Sequence, residues 1–93
     1  MVIGLLVLEF HIPGVQSLKE KRRVLKSIIE RIKGRYNVSV AEVERQDMWQ
    51  EAVVGIVMVC NEKQVIDRNF SAILRLAESQ GDMHVTHIST EIF

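Results

Sequence analysis

Three side chains near the two ends of the chain could do acid–base or metal chemistry. Glu9 and His11 close one apolar run, and His84 opens another. An imidazole beside a carboxylate can relay a proton or bind zinc, provided the fold brings the groups within reach. If the run ending at His11 lies beside the run starting at His84, the three approach one another. Alternation along a strand, however, sends His84 and His87 to opposite faces, which prevents them from chelating as a pair. Histidines at the rim of a sheet are the plainer reading, and no metal ligand or catalytic residue is assigned. Cys60 is the only cysteine. It cannot make an internal disulfide, has no CxxC partner, fits a reducing cytoplasm, and is expected to pack inertly at the end of a buried strand. Phosphate loops of the Walker and GxGxxG types and the HExxH zinc motif are absent. No cofactor is expected, and nothing in these residues supports an enzyme.

Charge carries the stronger signal. The 93 residues include twelve Lys or Arg and twelve Asp or Glu, a formal net charge of zero. That balance excludes a polycation coating nucleic acid and an acidic disordered tail. The distribution is uneven. Between Ser17 and Arg35 there are eight bases (Lys19, Lys21, Arg22, Arg23, Lys26, Arg31, Lys33, Arg35) and two acids, a local +6 offset by −6 elsewhere. At roughly 100° per residue, Lys19, Arg22, Arg23, Lys26 and Lys33 share an arc interrupted by Glu30. Positive charge in a first helical turn opposes the macrodipole by about 0.3–1 kcal/mol per charge, so stability alone would place acids there. Lys19, Lys21, Arg22, Arg23 and Lys26 are therefore the candidate phosphate contacts, with the N–H groups of the helix N-terminus beneath them. The alternative is a solvated helix face on which Lys21 and Arg22 lay their stems along the core.

The elements that must position these groups follow from periodicity. Val2–Ile12 is nearly unbroken apolar and reads as a central strand, closed by the Pro13-Gly14 turn. Ser17-Leu18-Lys19-Glu20 matches a capping box, and Leu18, Leu25, Ile28, Ile29 and Ile32 follow at helical spacing up to a stop at Gly34. A strand over Tyr36–Glu44, a polar loop over Arg45–Gln50 and a strand over Glu51–Asn61 come next. Asn61 is the candidate N-cap of a second helix striped by Ile66, Phe70, Ile73, Leu74 and Ala77, which Gly81-Asp82 ends. Met83–Phe93 alternates as a last strand. The order β-α-β-β-α-β, with two right-handed crossovers, predicts a ferredoxin-like α+β sandwich. Its four-stranded antiparallel sheet has the order 4-1-3-2, with both helices on one face, in a single domain over 1–93. No apolar run is long enough to span a membrane, and no signal peptide is read.

In that frame Leu6, Leu8, Phe10 and Ile12 face the helices, leaving Ile3, Leu5 and Val7, then Glu9 and His11, on the open face of the sheet. Three aliphatics in a row on a nominally exposed face point to a covered surface, most simply a second copy of the chain. The alternative is a scatter of tolerated surface apolars. Trp49, the only tryptophan, is either a binding anchor or a lid folded over the end of the core; the lid is preferred. The third strand carries no aromatic and the first only Phe10, and neither a GxxG loop nor an RNP-like pattern occurs. Sequence-specific reading of single-stranded RNA on the sheet is thus disfavoured, which leaves shape and phosphate contact through the first helix.

Three segments carry a family resemblance. They are His11-Ile12-Pro13-Gly14-Val15-Gln16-Ser17-Leu18-Lys19-Glu20-Lys21-Arg22-Arg23, Asn37-Val38-Ser39-Val40-Ala41-Glu42-Val43, and Asp47-Met48-Trp49-Gln50. With them the whole chain resembles the YlxP-like family of small bacterial proteins, the Ser-Leu-Lys-Glu-Lys-Arg-Arg stretch being the most specific part. The resemblance implies a cytoplasmic bacterial protein with a ferredoxin-like fold. It implies no activity, although genes of the family often sit among translation and ribosome-maturation genes. The expectation is a non-enzymatic homodimer that contacts RNA or a ribosomal particle through the first helix. A protein-interaction module using the open sheet or Trp49, or a ligand-binding or enzymatic domain with a cleft formed by the dimer, are the alternatives.

Overall fold

A computed structural model describes residues 1–93. The chain runs β1 (Val2–His11), α1 (Leu18–Arg35), β2 (Ser39–Glu44), β3 (Glu51–Cys60), α2 (Lys63–Glu78) and β4 (His84–Ile92). The strands form one sheet in the order β2-β3-β1-β4, antiparallel throughout. This is the βαββαβ ferredoxin-like sandwich, with the two most apolar strands in the centre. Leu6, Leu8 and Phe10 of β1 and Ala52, Val54, Ile56 and Met58 of β3 are buried. Against them α1 packs Leu25, Ile28 and Ile32, and α2 packs Ile66, Phe70, Ile73 and Ala77. Period 2 on the strands meets period 3.6 on the helices in one core. Gly4 marks the closest approach of α2: a Cβ there would lie 2.5 Å from Ile66 Cγ2 and 2.9 Å from Phe70 Cε2.

The helix ends explain how the loops are held. Ser17 Oγ accepts from Glu20 N at 3.1 Å, and Glu20 Oε2 accepts from Gln16 N at 2.9 Å, one residue before the usual capping-box partner. Gly34 does not stop α1; it lies inside the helix, which closes when Tyr36 N donates to Ile32 O at 2.9 Å. Asn61 does not cap α2 either. Glu62 holds that position without a side-chain cap, and the Cys60 thiol turns toward it, accepting from Glu62 N at 3.2 Å and donating to Glu62 O at 2.9 Å. Half-buried Cys60 therefore orders the entry to α2, a role beyond inert packing.

Two irregularities reshape the open face. Between β1 and β4 the register runs Glu9↔His87 and then Phe10↔Val85, so Thr86 is an extra residue on β4. Between β2 and β3 it runs Glu42↔Val54 and then Glu44↔Val53, so Val43 is extra and lies over Gly55, where a Cβ would meet Val43 Cγ1 at 3.2 Å.

Candidate nucleic-acid interface

The amphipathic stripe of α1 decides which of its bases reach solvent. Lys21 is four, seven and eleven residues before Leu25, Ile28 and Ile32, so it belongs to the stripe that meets the core. It is 1 % exposed. Its ammonium donates to Arg45 O at 2.7 Å and lies 2.8 Å from Glu42 Oε2. That carboxylate oxygen has no donor in hydrogen-bond alignment, so the contact with Lys21 is an ion pair and not a directed bond. An ammonium enclosed by a carbonyl and a carboxylate is not offered to a phosphate. Lys21 therefore leaves the candidate set as a residue that ties α1 to β2.

Lys19, Arg22, Arg23 and Lys26 are exposed on the outward side of the helix. Lys26 shares Glu30 at 3.9 Å, whereas Lys19, Arg22 and Arg23 have no carboxylate partner; nor do Lys33 and Arg35 further along. Arg22, Lys26 and Lys33 with Glu30 and Glu42 border a groove of about 330 Å³ floored by Leu25 and Ile29. The N-terminus beneath these bases is partly used by the protein itself, because Ser17 Oγ takes up Glu20 N. The outward side chains, more than the helix end, are what α1 offers to an anion.

Arg45 is a residue that the sequence pattern passed over. It is the one non-glycine residue with positive φ, at 60°. Its carbonyl is held by Lys21, and its guanidinium crosses to Glu9 Oε1 at 2.8 Å. Glu44 of β2 faces Val53 of β3, and Val53 in turn faces Glu9 of β1, so this bridge runs over the central strand at Val53. Val53 is accordingly 2 % exposed although it lies on the open face. Gln50 is similarly structural: its Nε2 donates to Pro13 O at 3.2 Å and Val15 O at 2.9 Å, joining the hairpin to the turn that launches α1.

The open face divides into two halves. One carries Ile3, Leu5 and Val7, half-buried, beside Val57 and Val59 of β3, the latter 55 % exposed. The other carries Glu9, His11, Glu51, His84 and His87. His84 pairs with His11 and His87 with Glu9, and Glu9 and His11 are two apart on a regular strand. Both β4 histidines therefore lie on the open face. The expected opposition of His84 and His87 is corrected by the extra residue Thr86, which restores them to one side. His11 Nδ1 lies 3.6 Å from Glu51 Oε1, while Glu9 is taken by Arg45. The neighbourhood does not converge: no three His, Cys, Asp or Glu side chains are placed to hold a metal ion. Trp49 is not a lid. It is 53 % exposed at the hairpin tip, beside exposed Met48. No helix is long and apolar enough to cross a membrane.

Comparison with known proteins matches this geometry at the level of fold and family. The backbone is similar to the de novo designed protein Foldit4, with a TM-score of 0.56 and 21 % identity over 100 % of this chain and 97 % of that one. It is also similar to SnoaB, a cofactor-independent oxygenase from Streptomyces nogalater, with a TM-score of 0.58 and 12 % identity over 100 % and 92 % of the two chains. At these identities the likeness shows the fold alone. In sequence the chain is 35 % identical over 92 residues to the uncharacterized protein YlxP of Bacillus subtilis (strain 168), covering 99 % of this chain and 100 % of that one. Residues 3–90 match the model of a protein family of unknown function, DUF503, and the chain belongs to that family.

Proposed function

We propose that this protein is a non-enzymatic binding domain that contacts RNA or a ribosomal particle through α1, and pairs with a second copy through the open sheet face in the bacterial cytoplasm. The observation that carries the reading is the row of seven exposed bases on α1, six of which have no carboxylate partner. Lys19 and Arg23, and Arg22 and Lys26, are like charges four residues apart, each pair costing the helix about 0.2–0.5 kcal/mol. A polyanion removes that cost when it binds. The self-association half of the proposal is supported by Ile3, Leu5, Val7, Val57 and Val59, which form an apolar patch on a face that no helix covers.

A second reading has one observation in its favour. Exposed Trp49 and Met48 at the hairpin tip have the character of a protein-binding anchor. Gradient sedimentation of a bacterial lysate at low and high salt separates the two. On the proposed reading, wild-type protein comigrates with ribosomal subunits at low salt and is released by high salt or by Arg22→Ala with Arg23→Ala. Protein that stays at the top of the gradient at both salts contradicts stable ribosome binding. A partner retained by the double variant but lost in Trp49→Ala supports the second reading.

A further inference from the structure

The helical layer is more basic than α1 alone. Eleven of the twelve Lys and Arg residues lie in α1 or α2, Arg45 being the exception, whereas only four of the twelve acids do. Three of those four are already engaged: Asp67 by Lys63 at 2.9 Å, Glu30 by Lys26 at 3.9 Å, and Glu20 by Gln16 N at 2.9 Å. On α2, Arg68 and Arg75 lie two turns apart, on the side opposite buried Ile66, Phe70, Ile73 and Ala77, and neither has a carboxylate partner. They flank Ser71 along a shallow trough that Asp67, paired with Lys63, also borders. Arg23, Lys26, Ser27 and Arg31, with Glu30 among them, line a matching trough on α1. α1 is also tied to the segment just after α2, because Arg31 Nη1 donates to Gln80 Oε1 at 2.8 Å and Gln80 Nε2 donates back to Leu76 O of α2 at 2.9 Å.

We infer that the outward faces of α1 and α2 form one phosphate-binding surface for double-helical RNA, in which Arg68 and Arg75 complete a site begun by Lys19, Arg22, Arg23 and Lys26. This inference rests on the RNA reading given above. Packed helices lie about 8–10 Å apart, so the surface presents two rows of bases on a rigid base. The single aromatic of the two helices, Phe70, is buried, so neither row can stack an unpaired base, as single-strand binders do. What remains is recognition of shape and phosphate, the mode suited to an RNA duplex. An anionic membrane is the other polyanion of this size. It would call for apolar side chains interleaved with the bases, yet no exposed large apolar residue lies on either helix, and the one beside α2, Ile88, sits at the sheet edge.

The test is fluorescence anisotropy of a labelled RNA duplex about 16 base pairs long, titrated with protein between about 50 and 200 mM salt. Arg68→Gln with Arg75→Gln is compared with Arg22→Gln with Arg23→Gln. Each double variant is expected to lower the slope of log affinity against log salt by about two units, one per lost phosphate contact. Arg68→Lys with Arg75→Lys, which keeps both charges, is expected to preserve the wild-type slope; loss of slope there would show that the bases act through folding and overturn the inference. A wild-type slope in the α2 glutamine variant, with the α1 variant lowered, overturns the inference and leaves α1 as the RNA contact. Slopes unchanged in both remove the parent reading as well, and no duplex binding by wild type overturns the duplex inference alone. Tighter binding to the unpaired strand, or to phosphatidylserine-containing vesicles, overturns the duplex as the occupant.

Discussion

The two sides of this small sandwich are built from opposite materials. The helical side carries eleven of the twelve bases and no exposed large apolar residue on its helices, Ile88 at the β4 edge beside α2 being the one such residue on that side. The open side of the sheet carries one base, Arg45, already paired with Glu9, together with an apolar half and a histidine-bearing half. Exposed unpaired charge and exposed apolar surface are satisfied by different partners, a polyanion in one case and a complementary apolar face in the other. Two surfaces that differ so completely are expected to work independently, and one buried residue, Lys21, joins them. Its ammonium holds Arg45 O from the α1 side, and Arg45 in turn reaches Glu9 across the open side.

Breaking that link should have the largest effect. Lys21→Ala strands Glu42 in a largely enclosed position and removes a buried stem. It should destabilise the protein by about 3–5 kcal/mol, the usual cost of removing one member of a buried pair. Urea denaturation measures this, and a loss no larger than that of an exposed lysine would show that Lys21 is not a structural tie. Neighbouring leucines on β1 sharpen the contrast between the sides. Leu6→Ala on the helix side should cost about 2–5 kcal/mol, whereas Leu5→Ala on the open side should cost less than half as much; equal costs in thermal melts would erase the distinction. The smallest effect belongs to the capping box: Ser17→Ala should cost about 1 kcal/mol, with duplex RNA binding retained because the outward bases are untouched.

The order of elements was legible because alternating strands and two amphipathic helices announce themselves by period, and the 4-1-3-2 sheet follows from crossover handedness. The site was legible only in part. Lys21 shares the spacing of Leu25, Ile28 and Ile32, so its burial was encoded in the stripe, but its charge drew it toward the basic ridge. The shared face of His84 and His87 was hidden, since strict alternation cannot register an extra residue such as Thr86. Arg45 adopts positive φ at the start of the hairpin turn, where its carbonyl accepts from Met48 N at 3.1 Å and from Lys21 Nζ at 2.7 Å; the second of these is a tertiary contact with no local signature. Trp49 sits in a loop without period, where burial depends on what happens to lie beneath it.

The independence of the two sides is tested most directly by sedimentation velocity of two variants with a labelled RNA duplex, Arg22→Ala with Arg23→Ala on α1 and Leu5→Glu on the open face. The account predicts that the α1 variant remains a dimer and shifts less of the RNA than wild type does, and that Leu5→Glu sediments as a monomer and still shifts it. Loss of both properties in either variant, or of neither property in both, would contradict it.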